Sequence, residues 1–247
     1  MKSEVHLIDC MKFMRSVPDK FYSLAITDPP YGIGESSKDN ASRGKLRGGL
    51  NNSAWGYSKE YTKKKWDKEP PTHKYFEELF RVSRNQIVFG ANHFMSRLYI
   101  SAPMMKNIDS SCWIVWDKEN GENDFADCEL AWTSFNSAVR RFKFKWQGML
   151  QGNMKNKEHR IHPTQKPVAL YDWIFRNYAK PNDTILDTHI GSQSSRISAY
   201  KAGLDYTGCE LDPEYFEQGN HRFNEFLKKY GTPDPTQAIH GQQINLF

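Results

Sequence analysis

No stretch of the 247 residues is apolar enough for long enough to span a bilayer, and the mean hydropathy is low at -0.76. No apolar leader follows the N-terminus, so a cytoplasmic protein is expected, with no membrane partner. Cysteine is scarce. Cys10, Cys112, Cys128 and Cys209 lie far apart and show no metal spacing. They read as reduced structural thiols, which excludes a disulfide framework and a zinc site. The eight histidines form no close ligand pair, so no metal is expected. Internal repeats and a second core are also absent. The length suits one α/β domain.

Net charge is nearly absent outside one segment. Between Gly32 and Lys68 stand nine basic residues, Lys38, Arg43, Lys45, Arg47, Lys59, Lys63, Lys64, Lys65 and Lys68. Four acidic ones accompany them, so the segment carries +5, which is the net charge of the whole chain. A neutral body with one basic segment points to a polyanionic partner. Residues 32–70 lack sustained apolar periodicity, and Trp55, Tyr57, Tyr61 and Trp66 interleave with the lysines. That mixture suits phosphate contacts and base stacking in a mobile loop. A merely solvated loop is the plainer alternative.

What is present is Asp28-Pro29-Pro30-Tyr31, directly after the apolar run Leu24-Ala25-Ile26. The run reads as a buried strand, and ligands of open α/β sheets bind at strand carboxyl ends. Two prolines remove two backbone donors and fix the chain direction. The Pro29 carbonyl is then free to accept, and an ionised Asp28 only accepts. Two acceptors beside an aromatic ring suit a planar group bearing an NH2, such as a nucleobase amine. A solvated Pro-Pro turn is the bland alternative.

The remaining elements follow in order. Strands are expected at 5–8, 23–27, 86–89, 113–116 and 127–133, with helices at 11–17, 72–83 and 94–99. Residues 140–146 alternate, with Phe142, Phe144 and Trp146 on one face and Arg141, Lys143 and Lys145 on the other. The aromatic face reads as core, and the basic face as solvated or lying on nucleic acid. His162-Pro163-Thr164-Gln165-Lys166-Pro167 leads into a helix at 168–178, with Pro167 as its start signal. A strand at 184–186 ends at Asp187. Gly191-Ser192 then opens a helix at 194–201, and the next strand, 206–209, ends at Glu210. Glu210 stands 19 residues beyond Gly191, the spacing of a dinucleotide-type unit whose acid holds ribose hydroxyls. The full glycine fingerprint is absent, so an ordinary βαβ unit is the alternative. An amphipathic helix spans 213–229, and a polar tail, 231–247, ends in Gln243-Ile244-Asn245-Leu246-Phe247.

Taken in this order, the motifs resemble the β-class DNA amino-methyltransferases, from about Leu7 to Phe223. Asp28-Pro29-Pro30-Tyr31 matches the catalytic motif of that family. Asp187 to Ser195 lies where the cofactor loop belongs, and Cys209-Glu210-Leu211-Asp212 matches the ribose-binding strand end. His162 to Pro167 matches the motif before the cofactor strand. Asp9-Cys10 looks like the piece that holds the adenine of the cofactor. The resemblance implies a Rossmann-like α/β fold, a mostly parallel seven-stranded sheet with helices on both faces and a circularly permuted motif order. One domain, 1–230, would carry a short target-recognition region near 135–160.

The resemblance also implies S-adenosylmethionine as cofactor, S-adenosylhomocysteine as product, no metal, and double-stranded DNA as partner in a bacterial or phage-infected cell. Asp28, Pro29, Pro30 and Tyr31 would be catalytic. Asp9, Cys10, Asp28, Thr164, Gln165, Lys166, Asp187, His189, Gly191, Ser192, Ser194, Glu210, Leu211 and Asp212 would bind cofactor. Lys38, Arg43, Lys45, Arg47, Lys63, Lys64, Lys65, Arg141, Lys143 and Lys145 would meet DNA. Relatives with Ser at the position of Asp28 mostly methylate cytosine N4, so adenine N6 is expected here. Cytosine N4, a catalytically weak DNA-binding protein, and RNA as substrate are the alternatives. The family loop is Asp-Pro-Phe-x-Gly-Ser-Gly-Thr. This chain has Asp187-Thr188-His189-Ile190-Gly191-Ser192-Gln193-Ser194, so Gln193 stands where glycine is usual; it would crowd the loop, weaken cofactor binding, or be neutral where its dihedrals suit a larger residue. The final pentapeptide resembles a sliding-clamp-binding motif, and a homodimer would supply further DNA-reading surface.

Overall fold

A computed structural model of the chain describes residues 1–34, 64, 66–100, 112–120, 126–147 and 150–231. Lys38, Arg43, Lys45, Arg47, Lys63 and Lys65 lie outside the described residues, as does the pentapeptide 243–247.

Among the described residues ten strands and six α-helices are formed. In chain order they are β1 (Ser3–Leu7), α1 (Cys10–Arg15), β2 (Tyr22–Thr27), α2 (His73–Val82), β3 (Ser83–Phe89), α3 (Met95–Ile100), β4 (Trp113–Asp117), β5 (Cys128–Thr133) and β6 (Arg140–Lys143). The short pair β7 (Trp146–Gln147) and β8 (Leu150–Gln151) follows, then α4 (Val168–Tyr178), β9 (Thr184–Asp187), α5 (Ser194–Lys201), β10 (Asp205–Glu210) and α6 (Pro213–Tyr230). Among the described residues the main sheet has eight strands, not the expected seven, in the order β1-β10-β9-β2-β3-β5-β4-β6. Only β5 runs against the others; its neighbours β3 and β4 both pair with it antiparallel.

The central strands are apolar on both faces because helices cover both. Leu24, Ile26, Ile87 and Ile185 pack with Leu170, Ile174 and Phe175 of α4. The intervening Ala25, Val88 and Leu186 face Phe76, Leu79 and Phe80 of α2 and Met14 of α1. This alternation makes a three-layer α/β/α sandwich.

The continuous strand expected over 140–146 stops at Lys143, and Trp146 belongs to the separate β7–β8 pair. The aromatic face is core as expected: Phe142 and Phe144 stack, and Trp146 is buried. Trp146 Nε1 donates to the Gln165 carbonyl at 2.7 Å, so this indole leaves the strand direction to anchor the loop before α4. Pro167 caps α4 instead of sitting in its first turn.

From β9, helix α5 leads to β10 on one side of the sheet. From β2, helix α2 leads to β3 on the other. The neighbours β9 and β2 therefore mark the point where the winding reverses, and a crevice opens at their carboxyl ends.

Candidate active site

Asp28 follows the last residue of β2 and so stands at that crevice. Its side chain is 18% exposed, and the Lys166 ammonium lies 2.5 Å from Oδ2. The Tyr31 hydroxyl donates to Oδ1 at 2.7 Å. Lys166 itself is 3% exposed and also pairs with Glu129 of β5 at 3.0 Å. Glu129 is closed on its far side by Lys118, the residue after β4. Burial pushes the Asp28 carboxyl above its ordinary range, with Lys166 pulling the other way. Burial acts upward on Glu129 too, but Lys166 and Lys118 outweigh it and hold that carboxyl at about 2. The two carboxylates likewise overcome burial at Lys166 and raise its ammonium.

The Tyr31 ring stacks on His93, with centroids 5.0 Å apart and an interplanar angle of 16°. It fits because Gly90 lacks a side chain. A Cβ there would stand 2.0 Å from Tyr31 Cε1, and the Gly90 φ of 65° suits glycine. Pro29 is buried and Pro30 half-buried, so the motif is fixed against the fold and is not a solvated turn.

The β9 loop lies beside it. Asp187 is an internal brace: Oδ1 accepts from the His189 N–H at 3.0 Å and Oδ2 from Ser195 Oγ at 2.6 Å. Burial lifts it to about 7. Thr27, Tyr75 and Thr188 form a buried hydroxyl cluster joining β2, α2 and the loop, with spacings of 2.6 to 3.0 Å. His189 Nδ1 touches the same cluster, and burial lowers this imidazole to about 4. Glu210, at the end of β10, accepts from the Gly191 N–H at 2.9 Å and from the Leu211 and Asp212 N–H groups. One carboxylate thus ties the loop to the next strand end. Asp9, two residues beyond β1, lies alongside and caps α1 by accepting from Lys12 N–H. Cys10 beside it is pushed by burial to about 12, so it stays a thiol.

Several residues expected to bind cofactor have other partners. The Gln165 side chain holds Ile161 N–H and the His159 carbonyl. Lys166 belongs to Asp28. Ser192 Oγ lies 3.1 Å from Ser194 Oγ, and Arg222 donates to the Ser192 carbonyl and to Ser194 Oγ. Asp212 caps α6 and pairs with Lys64. Thr164 Oγ1 lies 3.1 Å from His162 Nδ1. Glu210, the Gly191 backbone, Asp9 and the 70% exposed Leu211 remain grouped at neighbouring strand ends. A Cβ on Gly191 would have nothing nearer than the His162 ring at 3.7 Å, so the backbone is open there. A carboxylate at a strand end, an open glycine backbone and an exposed apolar side chain suit an adenosyl group.

Lys64, expected at DNA, instead pairs with Asp212 at 2.6 Å and Glu214 at 2.9 Å and lies over the Tyr215 ring. Trp66 rests on His162, and Asp67 accepts from the Gly32 N–H at 2.8 Å. The described end of the basic segment therefore crosses from the residues just after Tyr31 to the start of α6. Arg141 and Lys143 are exposed on edge strand β6, where Lys143 pairs with Glu119; Lys145 is half-buried beyond it.

Gln193 does not crowd the crevice. Its backbone takes the left-handed conformation, φ 58°, that the loop requires. Its side chain is fully buried toward α6, accepting from Arg196 at 2.9 Å and reaching Asn220 at 3.3 Å. Gly219 makes the room, since a Cβ there would lie 2.6 Å from Gln193 Nε2. Glu129, His93, Gly90 and Arg222 were not foreseen. Glycine after the β3 apolar run was a signal for Gly90; the others come together only through the fold.

The family model described as DNA methylase matches residues 133–221. The chain is 21% identical over 273 residues to the type II methyltransferase M1.MboII of Moraxella bovis, covering 90% of this chain and 97% of that one. The solved complex of M1.HpyAVI with SAM matches at a TM-score of 0.53 and 18% identity, over 90% of this chain and 98% of that one. The PvuII DNA methyltransferase, described as cytosine-N4-specific, matches at a TM-score of 0.53 and 13% identity, over 92% and 94% of the two chains. The fold is the Rossmann-like one these structures share.

Proposed function

We propose that the chain is an S-adenosylmethionine-dependent DNA amino-methyltransferase, the class to which its similarities point, and that it methylates adenine N6 at a specific site in double-stranded DNA. The observation that carries this reading is the placement of Asp28 and Tyr31 at the crevice where β9 and β2 diverge, beside Glu210 and the open Gly191 loop.

An adenine amine is a poor nucleophile because its lone pair is delocalised into the ring. The base leaves the stack at a cost of a few kcal/mol. Stacking on Tyr31 returns roughly 1–3 kcal/mol. Ionised Asp28 has about four lone-pair sites, of which Tyr31 and Lys166 use two, so it still accepts from the amine. The Pro29 carbonyl accepts the second amine proton. The nitrogen lone pair is thereby aimed away from the ring. Glu210 and the Gly191 backbone hold the ribose of the cofactor, with Asp9, Cys10 and Leu211 around its adenine. When bound, S-adenosylmethionine supplies a sulfonium methyl for direct in-line displacement, so alignment carries much of the acceleration. The family preference for Asp over Ser at this position supports adenine.

The test is expression in a bacterial host that lacks DNA methylation, with modified bases mapped across the genome. N6-methyladenine at one recurring motif, absent with Asp28→Ala, is the expected result. N4-methylcytosine would overturn the base assignment; the likeness to a cytosine-N4 enzyme favours this second reading. Soluble protein that leaves the genome unmodified would overturn both.

A further inference from the structure

The amino group of Lys166 has no counterpart in the function just described. It comes from the loop before α4, is buried, and touches three groups of the site: Asp28 Oδ2 at 2.5 Å, Glu129 at 3.0 Å and the Tyr31 hydroxyl at 3.3 Å. The faces of Phe89, at 4.7 Å, and Tyr31, at 5.7 Å, flank it. Its motif suggested the cofactor; its geometry assigns it to the catalytic carboxylate.

A buried carboxyl drifts toward its neutral form unless a cation holds it charged. A neutral Asp28 would carry a hydroxyl donor and lose part of its acceptor capacity. Among the described residues, the groups facing Asp28 are Lys166 from the loop before α4, Glu129 from β5, Tyr31 from its own segment, Tyr171 from α4 and Asp187 from β9. Lys166 is the only cation in that set, and Lys118 acts through Glu129. Burial raises Asp28, and Glu129 adds to this, so the ionised acceptor depends on Lys166. Glu129 in turn fixes where the ammonium sits, since its other side is closed by Lys118.

We infer that Lys166, gripped by Glu129, is a positioning residue that keeps Asp28 an anionic acceptor for the target amine. This rests on Asp28 being the acceptor of the proposed reaction.

The experiment is carbon-13 NMR of the full chain labelled at aspartate γ-carboxyls, titrated without cofactor or DNA. The Asp28 signal is assigned by its loss in Asp28→Asn. Lys166→Arg keeps the charge and is expected to leave Asp28 ionised at neutral pH. Lys166→Met is expected to move the Asp28 midpoint upward by about one pH unit or more, a tenfold gain in proton affinity. The acidic limb of kcat against pH should move with it, while calorimetric affinity for S-adenosylmethionine stays within about twofold, roughly 0.4 kcal/mol. Where Lys166→Met fails to fold, Lys166→Met with Glu129→Gln removes the stranded carboxylate and replaces it in the same comparison. An unchanged Asp28 midpoint overturns the inference. Loss of cofactor affinity with that midpoint unchanged assigns Lys166 to the cofactor instead. If the wild-type protein methylates another base or none, the proposed function fails, and the NMR midpoints still decide the role of Lys166.

Discussion

At Gly90 the chain turns with φ 65°, and the Tyr31 ring occupies the space a side chain would take. Gly90→Ala would meet the ring at 2.0 Å and hold a strained backbone as well, at about 1–2 kcal/mol. Tyr31 must move, so methyl transfer should fall at least about tenfold while cofactor affinity, measured by calorimetry, is kept. Equal turnover would show that the ring position does not matter. Gln193 makes the opposite point. A glycine there matches the family loop and relieves about 1–2 kcal/mol of left-handed strain. It also removes an acceptor from the buried Arg196 guanidinium and empties the space beside Gly219, costs of about 1–3 kcal/mol and more. Urea unfolding of Gln193→Gly should therefore show a net loss, with no gain in cofactor affinity. The placement of Asp28-Pro29-Pro30-Tyr31 at a strand end was legible because its parts are contiguous. The compensation of Gln193 by Gly219 was not, since nothing in the loop itself records what α6 leaves open.

Elements with an unbroken period were read closely: α4 and α5 fall on the expected 168–178 and 194–201. The expected strand at 140–146 misled because aromatic alternation outlasts the pairing. Phe144 and Trp146 continue to face the core from beyond β6, and periodicity registers which way a side chain faces, not which strand its backbone pairs with. The end of the basic segment was read from its charge alone, and charge along a chain does not reveal an acidic helix start elsewhere. Lys64 is held by Asp212 and Glu214. Lys64→Ala should thus cost about 1 kcal/mol of stability at most, as a partly exposed pair does. The slope of log DNA affinity against log salt should be unchanged, because no phosphate contact is lost. A slope shallower by about one unit would return Lys64 to the DNA.

Across the whole molecule, motif order was the most legible feature, because strand, loop and acid recur in sequence whatever packs around them. The reversal of winding between β9 and β2 turns that order into one crevice. Its burial has a measurable consequence. His189 is held by burial at about 4, below its free value of 6.5. Between those values the unfolded chain binds a proton on this ring that the folded chain does not. The contribution of His189 to stability is therefore complete above pH 6.5 and is lost as pH falls toward 4, by at most about 1.4 kcal/mol per pH unit. Solvent at the partly exposed ring reduces this to roughly half. Asp187, raised by burial to about 7, acts in the opposite sense and favours the fold increasingly as pH drops below 7. The wild-type profile is thus a difference between opposing groups, and a variant is needed to isolate one of them. His189→Phe, the residue usual in the family loop, removes the titrating ring and leaves Asp187 in place. Urea unfolding at about pH 6.5 and pH 4.5 should show the variant losing about 1–2 kcal/mol less than the wild type on acidification. Parallel losses would mean that His189 takes up its proton as readily in the fold as outside it, and that the crevice floor beneath the cofactor loop is wetter than its hydroxyl cluster implies.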